Sequence, residues 1–421
     1  MKKKLKKFFH SLGPGFITGA SDDDPSGIAA YSQTGAQFGY SQLWLSLYLW
    51  PFMSVIQEMC GRIGLVTGKG LAGVIKKYYT RSVLYAAVSI LFLANTINIG
   101  ADLGAMASAA QLLFDLPFAF WLIFMTAVTL TLEVFVSYQV YAKYLKYLTL
   151  SLFAYVAAVF AVKQDWSQIF FSTVVPTFSA SKEYLMNIVA ILGTTISPYL
   201  FFWQTSEEVE EEIANHKLCA MGIGRPKITK NNIKEMRLDT ISGMFFSNLI
   251  MFFIIATVAS TLHQAGVKNI ETATQAAEAL RPLAGNFTFL LFALGIIGTG
   301  LLAVPILAGS VSYAISEFFG WREGLYRKFK QAHGFYGVIT IATLFGLLIN
   351  FASLPPFKVL YYTAILNGIV APPLIILILL VASNKKIMGK NANSALASGL
   401  GWMIALLMTI AAATLTANLF F

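Results

Sequence analysis

Apolar residues come in long runs along this chain. Runs of roughly 17 to 25 residues are enough to cross a bilayer as a helix. They recur at 12–33, 41–61, 83–112, 118–137, 145–162, 184–206, 240–262, 286–317, 335–352, 359–383 and 396–419. The pattern predicts an all-α integral membrane protein with eleven transmembrane helices. Two runs are interrupted. The first contains ASDDDPSG at 20–27, three aspartates followed by Pro25; the sixth contains AILGTTISPY at 190–199, with Pro198 in mid-span. An interior proline removes a backbone hydrogen bond and clashes with the preceding turn. In hydrocarbon the freed groups must be satisfied by protein or by a water-filled cavity. Breaks at places one and six predict two inverted five-helix repeats, at 12–162 and 184–383, with 1–11 as a basic arm and 396–419 as helix 11. Interrupted spans at matching places in two repeats point to a transporter's binding site.

Composition supports lipid as the solvent. Of 421 residues 57% are hydrophobic and 12% charged, against about 25% charged in a soluble domain. The net charge of +10 invites a nucleic-acid reading, but its distribution argues otherwise. With the N-terminus inside, 25 of the 30 Lys and Arg residues fall on the inner side; the exceptions are Lys163, Lys182, Lys268, Arg281 and Lys358. This is the positive-inside asymmetry. It predicts a multi-pass protein of the cell (inner) membrane, N-terminus cytoplasmic and C-terminus extracytoplasmic, with no nucleic-acid partner. The basic start MKKKLKKFFH reads as a retained arm, because Gly13, Pro14 and the aspartates arrive too soon for a signal-peptide core. Cys60 and Cys219 fall at or beyond inner helix ends, where reduced thiols are expected. None of the four histidines falls in mid-membrane, which weighs against a zinc, copper or haem enzyme. No nucleophile–base pair or phosphate loop stands out, so neither an enzyme nor a bound cofactor is expected.

The aspartates carry the chemistry. Each carboxylate at a helix centre costs about 2.5–3.5 kcal/mol on insertion scales, roughly 8–10 for three, which marks a functional site. Asp24, directly before Pro25, is the best-placed ligand. Carbonyls near Ser21 and Thr194 and the Ser197 hydroxyl would complete an all-oxygen set suited to Mg²⁺, Mn²⁺ or Ca²⁺. Asp22 and Asp23 fit either a pathway role or capping of the second half-helix. Asn95, Asn98 and Asp102 share one helical face, open to either a pathway role or interhelical bonding. Asn367 and Gly368, before Pro372 and Pro373, suggest an irregular tenth helix that reaches the site. Glu133 is expected near an inner helix end, facing a basic loop. Glu207, Glu208, Glu210, Glu211 and Glu212 either attract cations in an inner vestibule or pair with the basic loop at 217–237.

Several segments resemble the Nramp family of divalent-metal transporters: GPGF at 13–16, ASDDDPSG at 20–27, QTGAQFGYSQLW at 33–44, IQEMCGRIGLVTGKGLAG at 56–73, AILGTTISPY at 190–199 and LLVASNKKIMG at 379–389. The resemblance implies the amino acid–polyamine–organocation transporter-like fold, with metal held between helices 1 and 6. Departures from the family pattern are informative. Asp-Pro-Gly-Asn becomes Asp24-Pro25-Ser26-Gly27, so the asparagine ligand is lost. Met-Pro-His becomes Ser197-Pro198-Tyr199, replacing the soft sulfur with a hydroxyl and the histidine with tyrosine. A second family histidine appears as Gln204, and an acidic pair is reduced to Asp102, with Ala105 in the other place. This is similar to the Nramp-related magnesium transporters. It implies uptake of Mg²⁺ or Mn²⁺, as substrate, with weak or no proton coupling, by a chain expected to be monomeric in its bilayer. The alternative is a same-fold transporter for an organic cation or amino acid, with room made by Gly27 and Ser197.

Overall fold

The structure, a computed structural model, describes residues 13–136, 152–352 and 354–420. The basic arm at 1–11 and the start of the fifth span lie outside the described residues. Helices stand at all eleven expected places. The first span is split into α1 (Pro14–Asp22) and α2 (Pro25–Phe38), followed by α3 (Trp44–Thr67), α4 (Leu71–Tyr78), α5 (Arg81–Gln111) and α6 (Phe118–Phe135). The fifth span is described as α7 (Phe153–Ala161), and α8 (Trp166–Val174) follows it. The sixth span is split into α9 (Lys182–Thr195) and α10 (Pro198–Ala214). Then come α11 (Lys230–Val258), α12 (Thr288–Phe319), α13 (His333–Ile349), α14 (Pro356–Ser383) and α15 (Ala395–Phe420).

Eight of the described helical segments are long and apolar enough to cross a membrane. The split first span, with its aspartates, and α3, with Glu58 and Arg62, are not among them. Their polar residues are buried by neighbouring helices. The apolar stretch of the sixth span is 83% buried, whereas those of α6 and α15 are 28% buried. The broken helices therefore occupy the centre and α6 and α15 the lipid-facing rim.

Close glycine crossings fix the first halves of the two broken helices. A Cβ on Gly19 of α1 would lie 2.3 Å from the Gly243 carbonyl carbon of α11, and one on Gly193 of α9 would lie 2.2 Å from the Gly368 nitrogen of α14. Small residues let membrane helices approach at backbone distance. Asp239 of α11 secures the start of α1, accepting the Gly13 and Gly15 N–H groups at 2.8 Å each.

Two features depart from expectation. The tenth helix is continuous from Pro356 to Ser383 despite its internal Pro372 and Pro373; the lost backbone bonds are tolerated inside the bundle, as membrane helices allow. The segment after the second span, outside every predicted apolar run, forms α4, which buries Leu71, Ala72, Val74 and Ile75 and presents Lys76 and Lys77 outward.

Candidate functional site

Both breaks are built as helix restarts. Asp24 is the N-cap of α2: its carboxylate accepts the Gly27 N–H at 2.7 Å and the Ser26 hydroxyl at 2.6 Å. Pro25 holds the first helical position, where no N–H is needed. Capping falls to Asp24 itself and not to Asp22 or Asp23. Ser197 has the equivalent place before Pro198 but works backward. Its hydroxyl is shared between the carbonyls of Gly193 and Thr194, at 2.7 and 2.8 Å, and closes the end of α9.

The two breaks meet at one locus. Tyr199 of α10 donates its hydroxyl to the Ser21 carbonyl at 3.0 Å. A Cβ on Gly27 would sit 3.1 Å from both the Asp22 carbonyl oxygen and Thr194 Oγ1. Helices α5 and α14 add polar groups. The Asn98 amide donates to Asp24 Oδ2 and to Asp102 Oδ2, 3.2 Å from each. Asn367 in turn donates to Asn98 Oδ1 at 3.2 Å.

The three consecutive aspartates diverge. Asp22 turns to α11, where the Ser247 hydroxyl donates to its Oδ2 at 2.6 Å, while Asp22 Oδ1 and Asp23 Oδ1 are buried without a hydrogen-bond partner. Ser247 is a site residue that the sequence reading missed; its signal was the polar pair Ser247–Asn248 inside an apolar span. Tyr31, whose ring would lie 3.4 Å from a Cβ on Gly27, was missed as well.

Other polar candidates lie elsewhere. Gln204 sits further along α10 and donates to Glu208 at 2.8 Å. Asn95 binds the Leu307 carbonyl and Ser310 of α12, an ordinary interhelical contact. Glu133 is buried against Thr343 of α13, 3.5 Å away; the basic loop it was expected to face lies outside the described residues. In the acidic run of α10, Glu212 pairs with Lys217 at 2.8 Å. Glu210 instead accepts from the Tyr313 hydroxyl and the Leu325 and Tyr326 N–H groups. Most of the run thus faces helix packing, and Arg237, in the first turns of α11, pairs with Glu58.

Asp22, Asp23, Asp24 and Asp102 are all buried, and none of the ion pairs among the described residues includes any of them. An unpaired buried carboxylate costs several kcal/mol. Four of them grouped about one break call for protons or a bound cation. Among the described residues no three His, Cys, Asp or Glu side chains converge as a metal-holding group. An ion here would therefore take carboxylate together with amide, hydroxyl and carbonyl oxygens, all of them hard donors.

A family model described as natural resistance-associated macrophage protein-like matches residues 15–418. The chain belongs to the Nramp family. Membership makes it a multi-pass membrane protein of a transporter family, not an enzyme. Nramp relatives named divalent metal cation transporter MntH align over nearly the whole chain. The one from Deinococcus radiodurans is 24% identical over 414 residues, covering 96% of this chain and 88% of the relative. The one from Klebsiella pneumoniae is 25% identical over 402 residues, covering 93% and 90%. The Eremococcus coleocola manganese transporter, in complex with an aromatic bis-isothiourea substituted compound, matches with a TM-score of 0.77 at 15% identity, over 99% of this chain and 88% of that one. Mhp1, a nucleobase-cation-symport-1 family transporter, matches with a TM-score of 0.57 at 14% identity, over 97% and 90%. At these identities the structural matches speak for the fold, and they bear out the predicted transporter architecture.

Proposed function

We propose that this Nramp protein takes up a hard divalent cation, Mg²⁺ or Mn²⁺, through the locus between its two broken helices, with weak or no proton coupling. The observation that carries the reading is the pair Asp24 and Asp102, joined by one Asn98 amide and buried with no basic partner among the described residues. Relatives named for divalent metal cations support the substrate class. The hard oxygen donors support Mg²⁺ or Mn²⁺ over softer metals. Tyr199 is committed to the Ser21 carbonyl, and Gln204 is turned to Glu208. Neither supplies a base titrating near neutral pH where the family pattern has histidine, which supports weak coupling. The alternative cargo, an organic cation or amino acid, relied on room at Gly27 and Ser197; the space at Gly27 is bordered at 3.1 Å by the Asp22 carbonyl and Thr194.

Asp24→Asn is the decisive variant. Asparagine caps helices about as well as aspartate, so α2 should still start normally while the charge is gone. Purified variant in proteoliposomes is expected to lose Mg²⁺ and Mn²⁺ flux with a melting temperature no lower than wild type in the absence of metal. Wild-type flux in this variant would remove Asp24 from the mechanism.

A further inference from the structure

A second chamber lies apart from the central locus. It is a cavity of about 270 Å³ at the predicted outer ends of α2, α9 and α14, beneath the segment 269–271. Its polar lining includes Gln33, Gln37, Glu183, Asn269, Glu271 and Lys358, beside the rings of Tyr361 and Tyr362. Ala29 also borders it; five residues from Asp24 along the chain, it lies about 7 Å from it at 1.5 Å rise per residue. The chamber thus borders the same half-helix that Asp24 caps.

Its walls are held by contacts of two strengths. Gln33 straps the covering segment to α2, accepting the Ile270 N–H at 2.9 Å and donating to the Lys268 carbonyl at 3.2 Å. Glu271 is held by Lys358 at 2.7 Å, but both side chains are more than 40% exposed. An exposed pair of this kind is weak and easily displaced. Glu183, in the first turn of α9, has no ion-pair partner among the described residues. Counting Glu183, Glu271 and Lys358, the chamber carries net negative charge.

Size and chemistry agree on one ligand class. A divalent ion with six waters occupies roughly 180 Å³ at about 30 Å³ per water, so the chamber holds it with its shell intact. Mg²⁺ gives up water reluctantly, and the amides and carboxylates of this lining suit water-mediated contact. We infer that the outer chamber is a separate, weaker waiting site for a hydrated divalent cation, in which the arriving ion displaces Lys358 from Glu271. This inference rests on the cation-uptake reading proposed above. Displacement frees the carboxylate to hold the hydrated ion beside Glu183, apart from the tighter central locus.

The test titrates Mn²⁺ onto the purified full chain and reads free Mn²⁺ by its electron paramagnetic resonance spectrum. Two classes of site are expected. Asp24→Asn should abolish the tighter class and keep the weaker. The double variant Glu183→Gln with Glu271→Gln should do the reverse, and Lys358→Gln should tighten the weaker class by roughly two- to fivefold. These side chains are at the surface, so unchanged melting temperatures are expected to accompany the shifts. A weaker class that ignores both the glutamine pair and Lys358→Gln overturns the chamber proposal and leaves the central site standing. A tighter class that survives Asp24→Asn overturns the central reading, while the glutamine pair still decides the chamber.

Discussion

At Gly27 the side chain expected from an Asp-Pro-Gly-Asn pattern is missing, yet the space it would need is taken. A Cβ there meets the Asp22 carbonyl and Thr194 Oγ1 at 3.1 Å and Tyr31 at 3.4 Å. The place of the absent asparagine is therefore filled by the packing of the two breaks. Restoring it alone should not restore a family-like site. Gly27→Asn is expected to lower stability by about 1–3 kcal/mol through overpacking and to reduce Mn²⁺ flux in proteoliposomes. Gly27→Ala, which adds only the crowded Cβ, should cost less. An asparagine variant with normal melting temperature and faster flux would show that the pocket has room after all.

The broken helices were legible in the sequence because proline and three aspartates inside an apolar run have few physical explanations. Asp24, Asn98, Asp102 and Asn367 were legible for the same reason and do meet in space. Ser247 was not: a Ser–Asn pair in an apolar span is a weak signal, and only the crossing of α1 with α11 brings it to Asp22. Helix α4 was hidden too, since eight residues give too short a periodic signal. The connection from α12 to α13 holds a further surprise, the buried Glu323. Burial, reinforced by the Glu317 and Glu210 carboxylates and opposed by Lys69 and Lys76, pushes its pKa from 4.5 up to about 10. A carboxyl kept protonated by folding favours the native state fully below its unfolded pKa. That contribution is lost as pH rises toward the folded value. The melting temperature should accordingly fall between about pH 5 and about pH 9, and Glu323→Gln should make that fall shallower. Parallel pH profiles for the two proteins would show that Glu323 does not contribute.

For the whole molecule, the energetic question is what drives uptake. Two positive charges moving inward at −100 mV gain about 4.6 kcal/mol, more than a thousandfold in concentration at equilibrium, since about 1.4 kcal/mol is tenfold. No second ion is required for that. The orientation that makes this gain inward is the one proposed from the 25 of 30 basic residues on one side. It places the Glu183–Glu271 chamber outside and α4 with its lysines inside. Proteoliposomes clamped with potassium and valinomycin separate the two driving forces. Mg²⁺ or Mn²⁺ uptake should rise steeply as the lumen is made negative and should not respond to an imposed pH gradient at fixed potential. A lumenal pH dye should barely move during uptake. Stoichiometric acidification, or uptake that follows the pH gradient and ignores the potential, would mean that the buried carboxyls carry protons with each cation, and the weakly coupled reading would have to be given up.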